Sequence, residues 1–313
     1  MPGCPNQSAQ YDFHILAFTT SPVGQLFIFI GGFLLYLMTI LGNVAIFTLV
    51  FTAPKLHTPM YFFLCNISVL DVASTSNFIP KLLMILITQD HKISLYGCII
   101  QLFFFVFCAV SELLTLTSMA YDRYLAICKP LQYYLIMSKT LCMSLIVFSL
   151  LTGALNSLVH AILTSLLFFC TSRDINNLFC ELNSLISLST SDTNSRKLLI
   201  IFDDIILAFI PFVLIIASYV FIISNVLKIK SRHGRLKAFS SCTSHLITVV
   251  LFCGPSIFLY IKEEFEHAKD QDKLLPLLFL VVVPMLNPLV YSLRNKDIWE
   301  ATAALRNYKK KMF

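Results

Sequence analysis

Residues 119–130 read MAYDRYLAICKP, an Asp-Arg-Tyr triplet closing a long apolar run and followed by a lysine and a proline. An acid–base pair is expensive to bury unless it stands at a boundary or does a job. The surrounding chain bears on which. Of its 313 residues 57% are hydrophobic and 13% charged, against about 25% charged in soluble proteins. With 28 Phe and 9 Gly, the composition is neither collagen-like nor disordered. One soluble core could not hide this much apolar surface, and lipid is the alternative solvent.

Seven apolar runs are long enough to cross a bilayer as helices, at approximately 24–52, 58–87, 94–126, 140–168, 197–228, 238–262 and 272–294, with a tail at 295–313. They exceed the roughly 9–11 residues of a barrel strand. The expected fold is therefore an all-α membrane protein, a single seven-helix bundle without linker, repeat or low-complexity tract. Seven crossings put the chain ends on opposite faces. With the N-terminus outside, 15 of the 23 Lys and Arg lie in inner segments and 7 in outer ones, while 10 of the 17 acids lie outside and 3 inside. The positive-inside rule thus places the N-terminus outside and the tail in the cytoplasm. The net charge of +6 reflects these inner loops and does not point to nucleic acid.

Residues 1–22 lack the pattern of a cleavable signal, so the first span is expected to act as an uncleaved anchor. Asn6-Gln7-Ser8 is a glycosylation sequon in that outer segment, whereas Asn66-Ile67-Ser68 is not placed for use. In the tail, Ile298, Ala301 and Leu305 recur at helical spacing, as in a short amphipathic helix on the inner surface, with a frayed tail as the alternative.

The topology puts Asp122 and Arg123 where the third span meets the cytoplasm. A plain boundary ion pair would contribute little, but other motifs accompany this one. Gly42-Asn43 lies in the first span, LHTPMYFFL at 56–64 opens the second and Ser218-Tyr219 lies in the fifth; KAFSSCTSHL at 237–246 and PMLNPLVYSLRNKD at 284–297 follow. In this order and on these faces, the motifs resemble those of the rhodopsin-like G-protein-coupled receptors. Within them the chain is similar to the odorant receptors, the long second outer loop being like that of the land-vertebrate class.

The resemblance implies a switch at the inner mouth, formed by Asp122, Arg123, Tyr124, Tyr219, Pro288 and Tyr291. Arg123, a permanent cation, would be held by Asp122 until the sixth span swings out. Pro288 interrupts the helix because it has no N–H to give. The second and third spans carry Asp71 and Glu112, and acids at that depth default to function. With Asn43 and Asn287 they match a sodium and water pocket; a pair satisfied by the two asparagines without an ion is the open alternative. His245 is expected to make a helix–helix contact, because no second metal ligand stands at useful spacing.

The resemblance also implies a disulfide between Cys98 and Cys180. The chain departs from the family where Thr190 replaces a usual cysteine, which would leave Cys170 without a partner, and where Asn177 and Leu178 replace a usual histidine segment. A small odorant would bind between the outer halves of the third, fifth and sixth spans, near Phe105, Val106, Ala109, Cys253, Ser256 and Tyr260. Cys253 stands where the family has tyrosine, and Phe105 where aminergic relatives have aspartate. Asp203 and Asp204 precede Pro211 by two helical turns. They suit a cationic or strongly hydrogen-bonding ligand, or else sit near the headgroups against Arg196 or Lys197.

The expected function is that of an odorant receptor in the plasma membrane of sensory cilia, raising cyclic AMP through a stimulatory heterotrimeric G protein. Its partners are the odorant, the G protein and membrane lipid, with sodium as the one candidate ion. A chemoreceptor of the same build outside the nose is the nearest alternative. A transporter or channel would show repeats or several broken helices. An enzyme would show HExxH, GxSxG or a phosphate-cradling loop, none of which is in the sequence.

Overall fold

The computed structural model describes residues 12–17, 21–170, 173–191, 193–265, 274–294 and 298–303, with side chains at 204, 237, 241, 255–279 and 293–294 outside that description. Long helices dominate. They are α1 (Pro22–Thr52), α2 (Pro59–Thr88), α3 (Leu95–Cys128), α5 (Lys139–Ser165), α8 (Ile210–Leu227), α9 (Arg232–Phe265) and α10 (Leu274–Arg294). Shorter ones lie between them: α4 (Tyr133–Ile136), α6 (Leu182–Leu188) and α7 (Asn194–Asp203). A π-helical segment, Asp204–Phe209, joins α7 to α8 into one span. Among the described residues six spans are long and apolar enough to cross a membrane, and α10 contributes a further apolar helix at Leu280–Ser292. The fold is the seven-helix bundle.

Local chemistry sets the ends. Ser21, Ser94 and Ser138 cap α1, α3 and α5, each hydroxyl accepting from a backbone N–H three residues on. Proline begins α1 and α2, where no helical donor is lost. Lys81 is kept out of hydrocarbon because its ammonium reaches outward to the Lys92 carbonyl at 2.6 Å.

Helix α3 runs through the middle, touching α2, α5, α8 and α9. It meets α5 at Gly153, where a Cβ would lie 2.9 Å from the Phe107 carbonyl, so only glycine fits. Asn66 donates to Thr115 Oγ1 at 2.9 Å across α2 and α3, which buries that sequon in the bundle. Two apolar clusters cover the outer end. A larger one, containing Leu116, Tyr219 and Tyr291, fills the inner half.

The outer face carries structure that the span analysis does not anticipate. Strand β1 (Asp12–Ile15) lies between β2 (Lys92–Ser94), antiparallel, and β3 (Asp174–Ile175), parallel. Phe13 and Ile15 are fully buried beneath this small sheet, and Phe13 meets Phe169 edge-on at 4.9 Å. On the inner face, residues 298–303 are helical, with Ile298 and Ala301 buried and Trp299 exposed. Lys55 in the first inner loop pairs with Glu300 of that helix. Leu305 lies outside the described residues.

Candidate functional site

At the inner mouth Asp122 is fully buried and holds two partners. Arg123 Nε donates to its Oδ2 at 2.8 Å, and a second guanidinium nitrogen contacts the same oxygen. The Tyr133 hydroxyl donates to Oδ1 at 2.7 Å. Burial and the Asp122 carboxylate raise the Tyr133 phenol above its ordinary range, so it remains a donor. Tyr124 packs edge-on against Phe221 of α8 at 6.1 Å.

One turn deeper, His245 of α9 ties three helices. Its Nε2 lies 3.0 Å from the Leu116 carbonyl of α3, which can only accept, so the proton is on Nε2. Nδ1 then accepts from the Tyr219 hydroxyl of α8 at 2.7 Å. The same hydroxyl lies 3.2 Å from the Cys242 carbonyl. The expected helix–helix contact of His245 is present.

Pro288 leaves the carbonyl of Pro284, four residues earlier, without its helical donor. Asn43 supplies one, its Nδ2 donating to Pro284 O at 3.1 Å. Gly42 allows the approach, since a Cβ there would lie 3.3 Å from Pro288. The two motifs read separately in the sequence are thus one joint. Beside it, Asn287 Nδ2 donates to both Asp71 oxygens, at 3.1 and 3.0 Å. Glu112 is buried and close enough to Asp71 to interact with it electrostatically. Glu112 Oε1, Asn43 Oδ1 and Asn287 Oδ1 have no hydrogen-bond partner, and the buried Tyr291 hydroxyl has Thr248 of α9 beside it.

At the outer end the Cys98–Cys180 disulfide is present, with Cα atoms 5.2 Å apart. Gln101 Oε1 accepts from the Cys180 N–H at 2.8 Å and fixes the second outer loop over α3. Phe179 packs its ring 5.1 Å from Phe105 and 5.7 Å from Phe78. Val106 borders the disulfide cluster, and Ala109 is half-buried one turn below Phe105. Cys253 is buried in the inner-half cluster. The side chains of Ser256, Tyr260 and Asp204, and the whole of Asn6, lie outside the described residues.

Two expectations are corrected. Cys170 is disulfide-bonded, although the usual family cysteine is replaced by Thr190. Asp203 meets neither Arg196 nor Lys197; its Oδ2 pairs with His160 Nε2 of α5 at 2.7 Å. A π segment lies between Asp203 and the Pro211 landmark, so a count at 3.6 residues per turn does not fix the register of Asp203.

The inner loops also present apolar residues that belong to none of the motifs. Leu131, Tyr134 and Leu135 are 99%, 88% and 82% exposed, beyond the end of α3 at the cytoplasmic face. Their signal was available: apolar residues outside any span, in KPLQYYL, have no lipid or core to enter.

Comparison with known proteins adds the following. A family model described as "Olfactory receptor" matches residues 33–309. The chain is 40% identical over 296 residues to human olfactory receptor 5I1, covering 95% of this chain and 94% of that protein. It is 41% identical over 293 residues to mouse olfactory receptor 5AR1, covering 94% of each. It is 39% identical over 296 residues to the dog olfactory receptor-like protein OLF1, covering 95% of each.

Proposed function

This chain belongs to the olfactory receptor family, and on that premise we propose that it binds a small odorant in the outer half of the bundle and activates a stimulatory G protein that raises cyclic AMP. It is an odorant receptor of the plasma membrane. One observation carries the coupling step: α3 is a single helix from the disulfide at Cys98 to the Asp122-held Arg123. A ligand beside Phe105 and Val106 touches the same element that holds the switch cation.

An odorant acts by favouring one of two arrangements through differential contacts. In the arrangement described, Asp122 occupies Arg123, and His245 joins α9 to α3 and α8. Outward movement of α9 breaks the Leu116 contact and exposes Arg123 to the partner. Tyr291 is fully buried on α10 with Thr248 of α9 beside its hydroxyl, so outward movement of α9 separates the two. Leu131, Tyr134 and Leu135, with the basic run KIKSRHGRLK at 228–237, supply the apolar and charged surface that receives the G protein.

Sodium fits the mid-bundle group. Asp71 and Glu112 bring carboxylates, and the unpartnered Asn43 Oδ1 and Asn287 Oδ1 bring neutral oxygens, a donor set suited to a hard cation. When bound there, the ion would neutralise the paired acids and favour the closed packing of α2, α3 and α10. Among the described residues no group of three His, Cys, Asp or Glu is placed to hold a metal.

The test is a cyclic AMP reporter in cells expressing the chain, challenged with a volatile panel with and without the stimulatory G protein. An odorant response that needs the G protein supports the proposal. Ion flux or a response independent of it refutes the coupling.

A further inference from the structure

Where α5 leaves the second inner loop, its outward side carries a recess of about 460 Å³ lined by Lys139, Thr140, Met143, Ser144 and Val147. All five residues are exposed, away from the side of the helix that buries Cys142, Ile146 and Ser149 in the bundle. The switch, the mid-bundle acids and the odorant region use none of them. No carboxylate lines the recess, so Lys139 sets its charge. Thr140 and Ser144 stand one turn apart, about 6 Å along the helix axis. Neither hydroxyl has a hydrogen-bond partner among the described residues. Other exposed threonines of the spans, Thr48, Thr52 and Thr88, donate back to the carbonyl four residues earlier at 2.7, 2.8 and 2.8 Å. Thr140 and Ser144 do not, and hydrocarbon offers an open hydroxyl no acceptor.

We propose that this recess binds one anionic glycerophospholipid of the inner leaflet. The inference needs the membrane-spanning fold and not the odorant assignment. The polar groups descend in the order in which such a lipid presents its acceptors. The Lys139 ammonium and the Thr140 hydroxyl donate to the phosphate, the first as a charge-assisted contact at the membrane surface. One turn deeper, the Ser144 hydroxyl donates to a glycerol ester carbonyl. The acyl chains then run over Met143 and Val147 and on to Leu151, the next residue of that stripe, which is 58% exposed. The cytoplasmic leaflet is the one that carries anionic lipid, and a lysine at its surface attracts it. A zwitterionic lipid has the same phosphate and esters but no net charge to answer Lys139. A sterol brings a single hydroxyl and no charge, so it leaves Lys139 and one of the two hydroxyls unserved.

The test uses the full chain, purified and placed in phosphatidylcholine vesicles that carry a trace of photoreactive lipid. The probes are phosphatidylserine and phosphatidylcholine with the same diazirine-bearing acyl chain, and a diazirine sterol; adducts are located by peptide mass spectrometry. Phosphatidylserine should label residues 139–151 about fivefold more than phosphatidylcholine, the size of one lysine at an anionic surface. Lys139→Gln should remove that preference, whereas Lys129→Gln, an exposed lysine outside the recess, should keep it. Ser144→Ala should lower labelling by both phospholipids about fivefold, the size of one net hydrogen bond, without changing their ratio. Thermal denaturation shows that each variant is folded, and the wild-type comparison of the two phospholipids stands without any variant. Equal labelling by the two phospholipids, a lead by the sterol, no adduct within 139–151, or a preference that survives Lys139→Gln overturns the site. Competition by soluble glycerophosphoserine at lipid-like concentration does the same, because the occupant is then a phosphate and not a lipid.

Discussion

The Tyr219 hydroxyl and His245 Nδ1 lie 2.7 Å apart, joining α8 to α9 where the other ring nitrogen of His245 already holds the Leu116 carbonyl of α3. Both side chains are buried, so neither can exchange its partner for water. Tyr219→Phe keeps the ring and leaves Nδ1 unpaired, at a cost on the order of 1–3 kcal/mol. The purified receptor should unfold at a lower temperature, as read by thermal denaturation in detergent. An unchanged melting temperature would show that the three-helix tie contributes nothing.

The Asp122 carboxylate binds Arg123, and Tyr133 orients it. Asp122→Asn removes the charge that holds the guanidinium, and basal cyclic AMP should rise several-fold at equal surface density. Tyr133→Phe, which loses only the orienting bond, should move it the same way by less. Basal signalling at the wild-type level in Asp122→Asn would exclude a restraining role for the pair.

Gly153 sits where α5 crosses α3, and a methyl there collides with the Phe107 backbone carbonyl. Backbone cannot move aside as a flexible side chain can, so overpacking of about 1–3 kcal/mol follows for Gly153→Ala. Surface expression should fall well below that of Gly31→Ala, whose added methyl meets nothing. Equal surface levels for the two would contradict the close crossing.

The mid-bundle oxygens give a salt prediction. In membranes, replacing sodium by a bulky organic cation should change odorant potency in the wild-type receptor. Glu112→Gln should abolish that dependence, because one of the two carboxylates is gone. A sodium effect that persists in Glu112→Gln would remove Glu112 from the ion site.

The parts legible in the sequence were those fixed by solvent and by short motifs. Apolar run length gave the spans, and the Lys and Arg distribution gave the orientation, because transfer of a charge into lipid is the largest local energy available. Asp122 with Arg123, and Cys98 with Cys180, stand where their motifs imply. What stayed hidden depended on pairing across helices or on a break in period. His160 belongs to no motif, and the π segment between Asp203 and Pro211 leaves the register of its partner open to a count along the chain. Gly153 carries no label that separates a tight crossing from any other glycine. The outer sheet uses strands of 4, 3 and 2 residues, too short for an alternating pattern to show.

Arg123 is the residue on which the account depends most. The decisive measurement is the odorant-evoked cyclic AMP rise in wild type and in Arg123→Ala at matched surface density, with the most potent active odorant as agonist. The account predicts a rise in wild type and none in Arg123→Ala. An undiminished rise in Arg123→Ala would contradict it, because the cation held by Asp122 would then have no part in passing the signal to the cytoplasm.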